Sequence, residues 1–425
     1  MNVLAAALDI GATIGALWLV RPATSRTGLG IWHPAVAWLA LEIVFFGTGA
    51  AILSVAENRP DPAWYVAAAI LLFGLAVAGS ERIARARSVP IASEPAPGRN
   101  PDRDQVGGHR WRPAAVAVLV VIGLAALVPT LLAVGIPFLA GNITGARAEV
   151  GGLDLQLLRV AVPAAVVVAV VRAARAADRR SWTIAAIAIV LAAVGELALA
   201  SRYLAAELAA AIVLGLGLAR HPVPGRILAL IGIVAAVLFI GVGILRAYDQ
   251  AAGREGAFAI ERTVNRILLI EPRTLDALQQ AIPADQPFFG GLTWVRRIAP
   301  WLGREDVPNL GYWIYPRLFP AQTTPGYAAP GLLGEAWANL GWFGLAIFVA
   351  LGVLVERLGA LVAIRRRSTI DVAAAAVLIL FVARTHAVGL DGLAVLLALL
   401  IVWRIAAGPL DDLGRDVGLV LRWQS

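Results

Sequence analysis

Apolar runs of about 20 residues recur along the chain, separated mostly by short polar turns. Lipid offers no partner to a backbone N–H or C=O, so runs of this length predict membrane-spanning helices. Eleven segments meet the pattern, at about 2–20, 31–55, 62–80, 113–140, 157–175, 182–200, 203–219, 225–247, 331–362, 369–386 and 391–408. The chain therefore reads as an all-α polytopic membrane protein. No basic stretch precedes segment 2–20 and Arg21 follows it, so it reads as the first span and not as a cleaved signal. Two polar stretches break the pattern. Residues 82–112 are rich in Pro, Gly and charge and read as a flexible linker. Residues 248–330 form a long insert between the eighth and ninth segments. The organisation expected is helices 1–8 within 1–247, a long outer loop 248–330, and helices 9–11 with a tail within 331–425.

Composition supports this reading. The chain is 60% hydrophobic, against about 45–50% for soluble domains. The formal net charge is +8, every basic residue is Arg, and there is no Cys. A basic balance in a soluble protein points to nucleic acid; here the positive-inside rule explains it without such a partner. Alternate loops hold twenty-one Arg, whereas the loops 56–61, 141–158, 201–203 and 387–390 hold three. That asymmetry puts the N-terminus outside, the C-terminus in the cytoplasm and the insert on the outer face of a cell membrane. No internal repeat supports an inverted-repeat transporter.

The insert carries the candidate chemistry. Residues 257–282 show helical periodicity on either side of Pro272 and predict two short amphipathic helices lying on the membrane surface. Residues 283–330 hold eight Pro, and 288–327 hold nine aromatics, which argues for a rigid loop. Eight Arg balance eight acidic residues, yet Arg296, Arg297, Arg304 and Arg317 sit among the aromatics. Guanidinium forks bind phosphate and flat rings stack on sugars, so the pattern suits a phosphorylated, glycosidic ligand. It equally suits an interfacial aromatic belt with arginines reaching lipid phosphate. Arg147, Arg159, Arg202, Arg246 and Arg384 fall near outer helix ends, where a shared anion or pairing with Glu196, Glu207 or Glu335 would explain them. Glu42 is a mid-span carboxylate, and His386 near Arg384 is a second candidate base. His33, His109 and His221 fall in expected cytoplasmic stretches without an evident role. No nucleotide motif or metal-ligand cluster stands out, so neither cofactor nor metal is expected.

The runs GGLTWVRRIAPWLGRE (290–305), YPRLFP (315–320) and PGLLGEAWANLGWFG (330–344) resemble the Wzy-type O-antigen or oligosaccharide repeat-unit polymerases. GARAEVGG (145–152), SRY (201–203) and RTHAVG (384–389) are similar to that family's Arg-bearing outer segments. The resemblance spans roughly 140–390. It implies a glycosyltransferase that uses a polyprenyl-diphosphate-linked glycan and needs no nucleotide or metal. It further implies a membrane-lipid setting, with a chain-length regulator and a flippase as partners. On this resemblance Arg147, Arg202, Arg297 and Arg317, with Arg159 and Arg384 behind them, bind diphosphate. Glu335, or else His386, serves as base, and Tyr312, Trp313 and Tyr315 contact sugar. O-antigen ligases share the layout but carry a His in the long loop, and 248–330 contains none. A transporter or flippase would gather polar groups deep in its spans.

Overall fold

The computed structural model describes residues 2–86, 121, 123, 125, 128–139, 152–199, 202–221, 225–251, 264–266, 268–296, 303–304, 306–320, 326–365 and 369–385. Among these residues every regular element is helical. Four stretches are long and apolar enough to cross a membrane: α1 (Asn2–Thr27), α2 (Pro34–Ala56), α3 (Asp61–Ala86) and the composite stretch Gly331–Ala363. They mark the chain as a membrane protein. The other helices are α4 (Val128–Val134), α5 (Gly152–Ala176), α6 (Arg179–Ala198), α7 (Arg202–Leu218) and α8 (Gly225–Ala251). They are followed by α9 (Ile270–Ala281), α10 (Leu310–Leu318), α11 (Gly331–Leu340), α12 (Ala346–Arg365) and α13 (Thr369–Ala383). The expected segment 391–408 and nearly half of 113–140 lie outside the described residues, as does most of the linker 82–112. The first residues of that linker are helical: α3 continues to Ala86, helped by a Glu81–Arg85 pair one turn apart.

Helices that share a lipid solvent gain little from apolar contact alone, so small residues let them approach closely. A Cβ on Gly74 of α3 would stand 2.9 Å from Ala16 Cα of α1. One on Gly352 of α12 would stand 2.7 Å from the Phe73 carbonyl. Trp38 of α2 is fully buried and stacks on Phe73 with ring centroids 4.0 Å apart. Its indole N–H donates to Thr385 Oγ1 at 3.1 Å, tying α2 to the end of α13. The apolar core runs on through α5, α6 and α7. Within α2 the backbone widens into one π-helical turn at Ile43–Gly47.

Where the C-terminal turns of α1 and α3 meet the middle of α12, a polar clamp forms. Glu356 is buried and accepts a hydrogen bond from Ser80 Oγ at 2.7 Å. Arg357 Nε lies 3.6 Å and Arg26 Nη1 3.9 Å from its carboxylate. Glu81 is buried beside it. The sequence reading singled out neither acid. The burial of Glu356 is what makes it useful: it draws Ser80 of α3 and Arg26 of α1 towards α12.

His33, expected in a cytoplasmic loop without a role, is fully buried and caps α2, its Nδ1 accepting the Ala35 N–H at 3.2 Å. Burial pushes the imidazole down from 6.5 to about 4. The unfolded chain then binds a proton at higher pH than the folded one. The stability contribution is complete above about 6.5 and is lost as pH falls towards about 4. Thermal unfolding in detergent will show this slope, and His33→Asn, which caps without titrating, will flatten it.

Candidate functional site

Above the Ala56 end of α2, residues 268–340 build a cap with its own small core of Leu278, Ala281, Ile282, Phe289, Leu310, Ile314, Ala328 and Ala338. Its first helix, α9, starts before Pro272 and holds that proline in the first turn, where no backbone N–H is needed. The expected break at Pro272 is therefore a helix start. Nor does α9 lie on lipid: Leu275 and Leu278 are fully buried, and the helix packs against α2, α3, α10 and α11. Its seat is Gly49 of α2, where a Cβ would stand 1.8 Å from the Leu268 carbonyl oxygen. Arg273 pairs with Glu57 in the α2–α3 turn. Burial raises the Asp276 carboxyl above the usual range, against hydrogen bonding from Gln280.

The run 330–344, expected to enter a span directly, instead forms α11 and then breaks. A 3-10 turn at Gly341–Leu345 separates it from α12. Gly341 has φ 57° and ψ −132°, a conformation open essentially to glycine. Phe288 lies over the place where a Cβ would go, at 2.8 Å. The Tyr65 hydroxyl of α3 donates to the Gly341 carbonyl at 3.2 Å. Tyr65 meets Trp337 and Trp342 edge-on, at 5.3 and 5.4 Å.

Asn339 closes this arrangement. It is fully buried, and Oδ1 accepts the N–H groups of Gly291 at 3.0 Å and Thr293 at 3.3 Å. Its Nδ2 donates to Thr293 Oγ1 at 2.5 Å and to the Glu335 carbonyl at 2.7 Å. Backbone bonds from Phe289 and Gly290 to residues 338 and 339, and from the Trp337 indole to Ile282, complete the seam. The side chains of the run 330–344 thus hold the loop in place.

The Arg and aromatic residues that fit a ligand collect on α10. Asn309 caps the helix by accepting the Gly311 N–H at 3.1 Å. Leu310 and Ile314 anchor it in the cap core. Trp313 and Tyr315 pack half-buried against the same core, and Tyr312 is 48% exposed. The Arg317 guanidinium lies 4.2 Å from the Trp313 ring centroid. Its Nη2 is 3.6 Å from Asp285 Oδ2, both side chains being exposed. A water-screened pair of that length holds an arginine weakly, so Arg317 is oriented mainly by the indole and keeps N–H donors for an anion. Arg304 differs: it grips Asp306 through two bonds at 3.1 and 3.3 Å, which hold that carboxyl below its usual range.

Arg384 is not beside Arg317. Its Nε is 2.7 Å from Glu207 Oε1, and the residue is 6% exposed. The neighbouring Thr385 meets Trp38, in the second turn of α2, whereas the cap sits at that helix's other end. Glu207, one of the partners considered for it, accounts for Arg384. Arg159 is half-buried on α5, and Glu335 is half-buried on α11. Arg202 opens α7, with its side chain outside the description. Arg147, Arg297 and His386 lie outside the described residues, as does the Glu196 side chain. Sequence reasoning missed Asn339 as a linchpin and Asp9 as a buried acid on α1, although an acid in an apolar run was a visible signal.

Asn339→Ala removes one side chain from four hydrogen bonds and leaves buried backbone N–H groups unpaired, at a cost of about 2–4 kcal/mol. Lowered thermal stability, with faster proteolysis between residues 283 and 308, will report it. No protein-family model, curated protein or solved structure matches this chain.

Proposed function

We propose that the protein joins polyprenyl-diphosphate-linked oligosaccharide repeat units at the outer face of a cell membrane. In this reading the chain has eleven spans, an outer N-terminus and a cytoplasmic C-terminus, and the cap faces outward. The observation that carries it is Arg317 on α10, held by the Trp313 face among Tyr312 and Tyr315 and only weakly tied to Asp285. A cation beside flat, half-exposed rings, mounted above apolar helices, suits a ligand with a lipid tail, a diphosphate and sugars.

The acceptor hydroxyl oxygen attacks the anomeric carbon of the donor glycan, and the bond from that carbon to the diphosphate oxygen breaks. The hydroxyl proton passes to a base, Glu335 or His386, and the electron pair leaves with the diphosphate. Negative charge grows on the leaving group, so a fixed guanidinium stabilises the transition state more than the ground state. Arg317 takes that role here, with Arg147, Arg202 and Arg297 as its partners and Arg159 behind them. Arg384, engaged by Glu207 away from the cap, is assigned to structure.

Purified protein will lengthen lipid-diphosphate-linked repeats without nucleotide sugar, and EDTA will leave the rate intact; complete loss in EDTA rejects the metal-free step. Transfer to a different acceptor, with no lengthening, would favour the ligase chemistry. Arg317→Ala will slow turnover roughly 100-fold, in line with loss of one charge-stabilising donor, while the protein still elutes as a folded species. Arg317→Lys will restore only part, because an ammonium lacks the planar stack. Full activity in Arg317→Ala removes that residue from the site.

A further inference from the structure

The mechanism leaves two carboxyls unused inside the bundle. Asp9 of α1 is 2% exposed and Glu42 of α2 is fully buried. Asp9 Oδ1 and both Glu42 carboxylate oxygens are buried with no hydrogen-bond partner. An ionised carboxylate cannot stay unpaired in such a place without a large desolvation cost. The obvious source of compensation is missing: residues 2–20, 34–56 and 61–81 contain no Arg.

The local backbone adds a second observation. Glu42 immediately precedes the π-helical turn Ile43–Gly47, a distortion that interrupts the regular helical ladder and frequently marks a functional position. Gly47 closes that turn. A Cβ there would meet Asp9 Oδ1 at 3.7 Å, Asp9 Oδ2 at 3.8 Å and the Glu42 carbonyl oxygen at 3.9 Å. Both Asp9 carboxyl oxygens therefore face the position left open by the missing side chain, beside the π-turn's own Glu42 main-chain carbonyl. The π-turn packs against α1, α3 and α9. Their ionisable groups towards this end are Asp61 and buried Tyr65 on α3, and buried Glu271, Arg273 and Asp276 on α9. Arg273 is engaged by Glu57, and Arg59 acts on Asp276.

We propose that Asp9 and Glu42, flanking the π-turn of α2, form an intramembrane site for one small monovalent cation, a proton or a sodium ion. The inference does not rest on the polymerase reading. Gly49, the seat of the cap, is two residues beyond Gly47, so occupancy of the site bears directly on the contact between cap and bundle.

The test is labelling of the folded full-length protein in detergent with dicyclohexylcarbodiimide, an apolar reagent that reacts with protonated carboxyls. Peptide mass spectrometry reads the modified residues in sodium-free choline buffer and in sodium buffer. Labelling at Glu42 or Asp9 is expected, falling as rising pH ionises the carboxyl. Suppression by sodium identifies a sodium site, and labelling indifferent to sodium identifies a proton site. Gly47→Ala, which sets a methyl against the Asp9 carboxyl, is expected to reduce labelling at Asp9 several-fold, and Glu42→Gln to leave Asp9 as the labelled residue. The wild-type measurement decides the matter even if a variant fails to fold: no modification of either residue at any pH overturns the proposal.

Discussion

One side-chain amide without solvent contact underlies the architecture of the cap. Three of the four Asn339 bonds go to Gly291 and Thr293, at the start of a short 3-10 turn, and the fourth ties the side chain back to Glu335 of its own helix. A buried polar network of this kind is worth having only when every member is satisfied. Here the amide uses both its donors and both acceptor positions. The aromatic contacts of Tyr65, Trp337 and Trp342 then fix the same seam to α3. Without the amide there is no fixed floor for α10, and without α10 the Arg317–Trp313 pair has no defined direction.

The helices were legible because lipid imposes a length and a composition on them. The stretches read at 2–20, 31–55 and 62–80 correspond to α1, α2 and α3, displaced by a few residues where arginines extend a helix past the apolar run. The cap was legible as an object and not as a shape. Apolar periodicity locates α9, but whether its apolar face meets lipid or protein depends on Gly49, distant in sequence and notable only for what it lacks. The break at Gly341 was hidden for a related reason. Residues 331–362 are continuously apolar enough to be one helix, and only a backbone conformation that hydropathy does not record divides them.

Arginine shows the same limit from another side. Arg317 and Arg384 look alike in sequence, each near an aromatic or an expected outer end. One is exposed, with a carboxylate at 3.6 Å, and the other is buried, with a carboxylate at 2.7 Å. The first arrangement leaves binding capacity and the second consumes much of it. Counting charges by loop does not separate an exposed arginine from an internal brace.

The placement of the cap has a mechanical consequence. It rests on α2 and α3, which pack with α1 and α12, whereas the Arg384–Glu207 pair ties α13 to α7, beside α5. The molecule is thus two leaves sharing a spine, with Trp38 and Thr385 as one stitch between them. A load applied at the cap enters one leaf first. It reaches the other by bending the spine, and α2 carries its softest point, the widened turn at Ile43–Gly47, between the load and the stitch.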